Sequence, residues 1–262
     1  NRTSHKDVIP LKEALTRLGF GSFAYNNTNY GPKTEEAVRS FQKYYGLVEN
    51  GIVDEVTKAE LDKIMSSPYH NGRSHEDVIK LKKDLTRLGF GSFVYNKNYG
   101  PKTERVVKEF QSFYGLKVNG IADTKTLEEI ERLLNTPLKR GSYRKDVVLL
   151  KEKMARLGFV VSNNPTPQYG PKTESTVIAL QKYYGLDETG IVDEATWVKL
   201  DEIYSNSLRK GMSHEDVIPL KEALTRLGFG SFAYNNKNYG SQTEKVVRSL
   251  DRKSTRLNSS HR

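Results

Sequence analysis

The property that most constrains this chain is that it repeats itself. Asp7-Val8, Asp77-Val78, Asp146-Val147 and Asp216-Val217 open equivalent segments spaced 70, 69 and 70 residues apart. Tyr30-Gly31-Pro32-Lys33-Thr34-Glu35 recurs from Tyr99 and from Tyr169, and returns altered as Tyr239-Gly240-Ser241-Gln242-Thr243-Glu244. Phe41-Gln42-Lys43-Tyr44-Tyr45-Gly46-Leu47 has counterparts at 110–116 and 180–186. Gly51-Ile52-Val53-Asp54 has counterparts from Gly120 and Gly190. A match in order, spacing and identity divides the chain into small modules rather than one large domain. A hydrophobic content of 36% and a mean hydropathy of −0.66 suit several small cores with much surface.

Each copy predicts three helices, so the fold class is all-α, a tandem array of small three-helix-bundle modules. The first helix starts near Asp7, whose carboxylate is placed to cap the opening turn. Pro10 has no N–H to donate and belongs within the first four helical positions. Val8, Leu11, Leu15 and Leu18 then share a face, and Gly19 supplies a left-handed stop. Gly31-Pro32 opens a second helix with Pro at its first position. Its stripe is Ala37, Val38, Phe41, Tyr44 and Tyr45, and Gly46 ends it. Asp54 caps a third helix with Leu61, Ile64 and Met65 inward. Polar stretches at 66–73, 135–144 and 205–212 read as linkers or interdomain joints. The expected organisation is repeat 1 at 1–65, linker plus repeat 2 at 66–134, and linker plus repeat 3 at 135–204. A linker plus truncated repeat 4 follows at 205–250, then a non-native tail at 251–262.

The fourth copy begins as a near-duplicate of the first and fails after Leu250, the counterpart of Phe41. The wording of 252–261 resembles translated adapter or vector sequence, with a genuine basic tail as the alternative. Half a module cannot bury its first-helix face, so 213–262 is expected to be unstable alone. The chain starts at Asn1 without Met, and the natural N-terminus is expected to lie outside this sequence.

No apolar run approaches the roughly 18 residues of a membrane span. Without cysteine there are no disulfides, thiolate metal sites or cysteine nucleophiles. The net charge of +10 favours polyanions, although a solvated Lys-rich helical surface explains it equally well. No catalytic constellation stands out. His5, His75 and His214 are one position seen three times before the first helix, and His70 sits in a connector. None has a second ligand at zinc spacing, so neither metal nor cofactor is expected. Carboxylate pairs such as Glu35-Glu36 lie at helix starts, where the dipole accounts for them.

In order, Asp-Val, Leu-Gly-Phe, Tyr-Gly-Pro-Lys-Thr-Glu, Phe-Gln, Gly-Leu and Gly-Ile-Val-Asp resemble the three-helix peptidoglycan-binding domain family. Thr196-Trp197 is similar to the Thr-Trp pair of that family's third helix, whereas Thr57-Lys58 and Thr126-Leu127 depart from it. The resemblance implies non-catalytic attachment to peptidoglycan and an extracellular, cell-wall location. It also implies a monomeric, tandem binder whose modules gain avidity on one polymer, with anionic wall polymers as a further partner. An alternative is the wall-targeting region of a peptidoglycan hydrolase whose catalytic domain lies upstream. Nucleic acid is not expected, because the basic residues are mixed with Glu along the helices.

A glycan or stem-peptide binder needs aromatic faces, amide partners and a helix N-terminus for carboxylates. The loop through Asn26, Asn29 and Tyr30 into Gly31-Pro32 offers all three, as do Asn96, Asn98 and Tyr99, and Tyr169. The structural reading is that the tyrosines pack beneath the loop while the asparagines bond its turns. Tyr44 and Tyr45 read as core. Gln42, Gln111 and Gln181 lie one residue off the apolar stripe and are expected to be exposed, as ligand amides or plain surface.

Overall fold

The repeats fold where their helix signals place them. The computed structural model describes all residues except 1, 2, 5, 24–26, 207, 209, 233–235 and 260–262. Of 3, 4, 206 and 251–259 it describes the backbone alone. Repeat 1 consists of α1 (Val8–Arg17), α2 (Pro32–Tyr45) and α3 (Glu55–Ser66). Repeat 2 has α4 (Asp77–Arg87), α5 (Pro101–Phe113) and α6 (Thr124–Leu134). Repeat 3 has α7 (Asp146–Arg156), α8 (Pro171–Tyr183) and α9 (Glu194–Asn206). The shortened fourth repeat has α10 (Val217–Arg226) and α11 (Ser241–Ser259). By compactness the chain divides into 1–196 and 197–262.

Proline opens α2, α5 and α8, and Gly46 in the left-handed conformation (φ +72°) closes α2. Asp54 caps α3 by accepting Thr57 N at 2.8 Å. The expected cap of α1 fails, because Asp7 already has helical backbone angles and makes no side-chain capping bond. Asp77 and Asp146 are the first helical residues of α4 and α7. In repeats 2 and 4 the free amide is met instead by the preceding histidine. His75 Nδ1 accepts Asp77 N at 3.3 Å, and His214 Nδ1 accepts Asp216 N at 3.2 Å. His5 lies outside the described residues.

The core of repeat 2 joins Val78, Leu81, Leu85, Phe90, Val107 and Phe110 to Ile130 and Leu133. Repeat 1 packs Leu15, Leu18, Phe20, Val38, Phe41, Leu61 and Ile64 likewise. Short antiparallel ladders, which the helical pattern does not announce, tie the approach to each first helix onto the loop before the second. β1 (Thr3–Ser4) pairs with β2 (Asn29–Tyr30), and β3 (Arg73–Ser74) pairs with β4 (Asn98–Tyr99). Single bridges Tyr143–Gln168 and Ser213–Asn238 repeat the pattern. The stretch 66–73 is a built joint: His70 is buried, with Arg17 on its Nδ1 at 2.9 Å and Gly72 N donating to Tyr99 O.

Within 1–196 the repeats meet by two different junctions. At the first, Ile121 of repeat 2 enters the core of repeat 1. Lys117 Nζ sits 4.5 Å from the Phe20 ring centre. Asn119 Nδ2 donates to Leu18 O at 3.3 Å, Lys117 N to Tyr44 Oη at 3.1 Å, and the Tyr45 hydroxyl to Asp123 Oδ2 at 2.5 Å. At the second, Tyr143 stacks on Phe113, and Lys145 covers Phe90 at 4.6 Å while pairing with Glu109. The third repeat carries Asp187 and Thr189 where the second has Lys117 and Asn119. A carboxylate is repelled by the ring face that attracts an ammonium, so the first junction cannot be copied there. The Tyr114 hydroxyl, counterpart of Tyr45, is buried there without the carboxylate bond that Tyr45 makes, with the Lys145 backbone and Asp146 among its polar neighbours.

In the fourth repeat Val217, Leu224 and Tyr239 are buried, but Leu227 is 63% exposed where its twin Leu18 is fully buried.

Candidate functional site

The loop entering the second helix is held from below at three points. The first is its tyrosine: Tyr99 and Tyr169 are buried and Tyr30 half-buried. Their hydroxyls donate to Gly120 O at 2.8 Å, Gly190 O at 2.8 Å and Gly51 O at 2.6 Å. Each thereby links the start of the second helix to the loop before the third. Burial raises all three phenols above the ordinary tyrosine value, Tyr30 to about 12 with help from Glu35.

The second point corrects the expectation for Gln42, Gln111 and Gln181, which are buried rather than exposed. Gln111 Nε2 donates to Asn119 Oδ1, Ile121 O and Thr126 Oγ1 at 2.8–3.1 Å, and its Oε1 accepts Asn119 N and Gly120 N. Gln42 and Gln181 make the corresponding Nε2 bonds, and their Oε1 atoms accept Gly51 N and Gly190 N. A residue just off the apolar stripe is buried here because the loop before the third helix folds over it and needs an amide. Gly51, Gly120 and Gly190 sit in that loop at positive φ, and a Cβ on Gly120 would lie 2.6 Å from the Glu104 side chain.

The third point is a set of lysines that the sequence reading passed over: Lys12, Lys82, Lys151 and Lys221, all buried. Lys82 Nζ donates to Asn96 O, Asn96 Oδ1 and Asn98 O at 2.8–2.9 Å. Lys151 reaches Thr166 O and Gln168 O, and Lys12 and Lys221 reach Asn27 and Asn236. Burial lowers the Lys82 and Lys151 ammonium pKa values. Their recurrence at one position of the first helix was the available signal, hidden because lysine at a helix surface reads as solvated.

What remains outward is a row of amides. Asn29 and Asn98 are exposed, and Gln168, absent from the expected set, holds their position in repeat 3. Asn98 Oδ1 accepts Ser74 Oγ at 3.0 Å. Beside it in repeat 2 lie exposed Val94 and half-exposed Tyr95, whose ring has Lys83 Nζ at 6.0 Å. Asn26 lies outside the described residues. The following helices start at glycine without a side-chain cap, so their positive ends adjoin these amides with Lys33, Lys102 or Lys172 at the second position. Such a surface donates to and accepts from hydroxyls, amides and carboxylates. Tyr44 and Tyr45 pack against the core as read. Among the described residues no group of three or more His, Asp or Glu is placed to hold a metal, and no helix is long and apolar enough to cross a membrane.

The family described as "Putative peptidoglycan binding domain" matches residues 4–61, 74–130 and 143–200. The chain belongs to this peptidoglycan-binding domain family, in three tandem copies. It is 28% identical over 140 residues to the N-acetylmuramoyl-L-alanine amidase CwlM of Mycobacterium tuberculosis, covering 47% of this chain and 34% of that protein. It is 28% identical over 159 residues to the N-acetylmuramoyl-L-alanine amidase CwlL of Bacillus licheniformis, covering 50% and 44%. The chain thus spans less than half the length of the curated relatives it matches. No solved structure matches it significantly.

Proposed function

We propose that the chain attaches its parent protein to peptidoglycan, in the cell wall or outside the cell, by three modules that bind without chemistry of their own. The observation carrying this reading is the family match in three copies, each with an exposed amide before an uncapped helix start. Of the expected site residues, Asn29 and Asn98 are read as direct contacts, joined by Gln168. Tyr30, Tyr99 and Tyr169 with Gln42, Gln111 and Gln181 hold the loop from beneath. Three weak sites on one polymer raise each other's effective concentration. The net charge, +7 once the +3 of 251–262 is set aside from +10, adds a weaker, salt-screened attraction to anionic wall polymers. The names of the relatives favour an amidase as the parent, with these modules as its wall-targeting region.

The test is cosedimentation of the chain with purified insoluble peptidoglycan, with DNA as the competing polymer. Retention on peptidoglycan is expected, and retention on DNA alone overturns the reading. Replacing Asn29, Asn98 and Gln168 together by Ala is expected to weaken retention at unchanged helicity; undiminished retention would remove these loops from the contact.

A further inference from the structure

Repeat 1 carries an exposed face whose counterpart on repeat 2 is fully used. At the first junction, repeat 2 offers Asn119, Ile121 and Asp123 to the aromatic end of repeat 1, formed by Phe20, Tyr44 and Tyr45. Repeat 1 has the same three residue types at the same positions: Asn50, Ile52 and Asp54. Asp54 Oδ1 receives Thr57 N as Asp123 Oδ1 receives Thr126 N, and the Asn50 side chain bonds Gln42 and Ile52 N as Asn119 bonds Gln111 and Ile121 N. Yet Ile52 is 62% exposed where Ile121 is 3% exposed, and Val48 and Val56 beside it are exposed too.

The complementary half is present on repeat 3. Phe159, Tyr183 and Tyr184 reproduce the aromatic end of repeat 1: ring centres of Tyr183 and Tyr184 lie 4.9 Å apart at 81°, against 5.0 Å and 88° for Tyr44 and Tyr45. Phe159 meets Tyr183 at 5.8 Å, as Phe20 meets Tyr44 at 5.7 Å. Tyr183 is 74% exposed. Repeat 3's own docking face carries Asp187, which opposes a ring; repeat 1 carries neutral Val48 there.

We propose that the Val48–Ile52–Val56 face of repeat 1 docks the Phe159–Tyr183–Tyr184 end of a second copy of this chain, repeating the first junction between molecules. Such a contact is head-to-tail, so it adds chain by chain, into a ring or an open filament according to the rotation between copies. The patch is small, so association is weak and grows with concentration. This departs from the monomeric expectation.

Sedimentation velocity of the full chain across a wide concentration series tests it. The sedimentation coefficient is expected to rise with concentration. Ile52→Glu and Tyr183→Glu alter exposed positions on opposite halves of the contact, and each alone is expected to give a monomer. Mixing the two variants leaves one intact half on each, and is expected to restore a dimer and nothing larger. Helicity is checked for both; should Ile52→Glu lose it, Val48→Asp replaces it, since repeat 3 tolerates Asp at that position. A chain monomeric throughout, association indifferent to either substitution, or a mixture that stays monomeric overturns the proposal.

Discussion

Gln111 shows how a single buried amide organises a module of this size. Its side chain satisfies the backbone of Asn119, Gly120 and Ile121 together with Thr126 Oγ1. Deleting it strands several buried polar groups at once, and each costs its desolvation rather than one average hydrogen bond. Gln111→Ala is therefore expected to destabilise by about 3 kcal/mol in denaturant unfolding. A loss below ~1 kcal/mol would mean that water replaces the amide and that the loop is not held by it. Gln111 lies one step off the apolar stripe, so the helical period alone predicts exposure. Periodicity reports which direction a side chain leaves its helix, but not what a neighbouring loop lays over it.

At the scale of elements, start signals were reliable where the capping group is local. Asp54 and Asp193 cap the third helices through bonds from Thr57 and Thr196, and those bonds hold both carboxyls below the ordinary aspartate value. A carboxyl lowered in the folded state stabilises above its unfolded pKa, near 3.9, and that contribution disappears as pH falls through the folded value. Thermal midpoints measured on acidification should thus fall less steeply for Asp193→Asn, which keeps a capping oxygen but cannot titrate, than for the native chain. Equal slopes would dismiss the cap as a source of acid sensitivity. Asp7 does not cap α1, because its backbone is already helical and its side chain makes no capping bond. In repeats 2 and 4 the approach to the first helix is paired with the loop before the second, and there a histidine rather than an aspartate meets the free amide.

For the molecule as a whole, the repeats are coupled rather than strung on tethers. Ile121 belongs by sequence to repeat 2 and by packing to repeat 1. Ile121→Ala should cost about 3 kcal/mol, typical of a buried isoleucine, and the loss should fall on repeat 1. Hydrogen exchange resolves this: faster exchange in α1 and α3 with α4 and α5 little changed is expected, and the reverse pattern would relocate Ile121 to its own module.

The number of repeats, their three helices, the Pro starts, Gly46 and the Asp54 cap were determined by the sequence alone, because each rests on residues within one or two helical turns. The family was legible for the same reason: its motifs are contiguous. Only the tertiary structure decided that Gln42, Gln111 and Gln181 face inward, and that Lys12, Lys82, Lys151 and Lys221 clamp the loops. It alone decided that Asn29, Asn98 and Gln168 are the amides left outside, and that the two junctions differ. Each of these depends on groups far apart in the chain, and on a burial whose energy exists only once both sides of the contact are present.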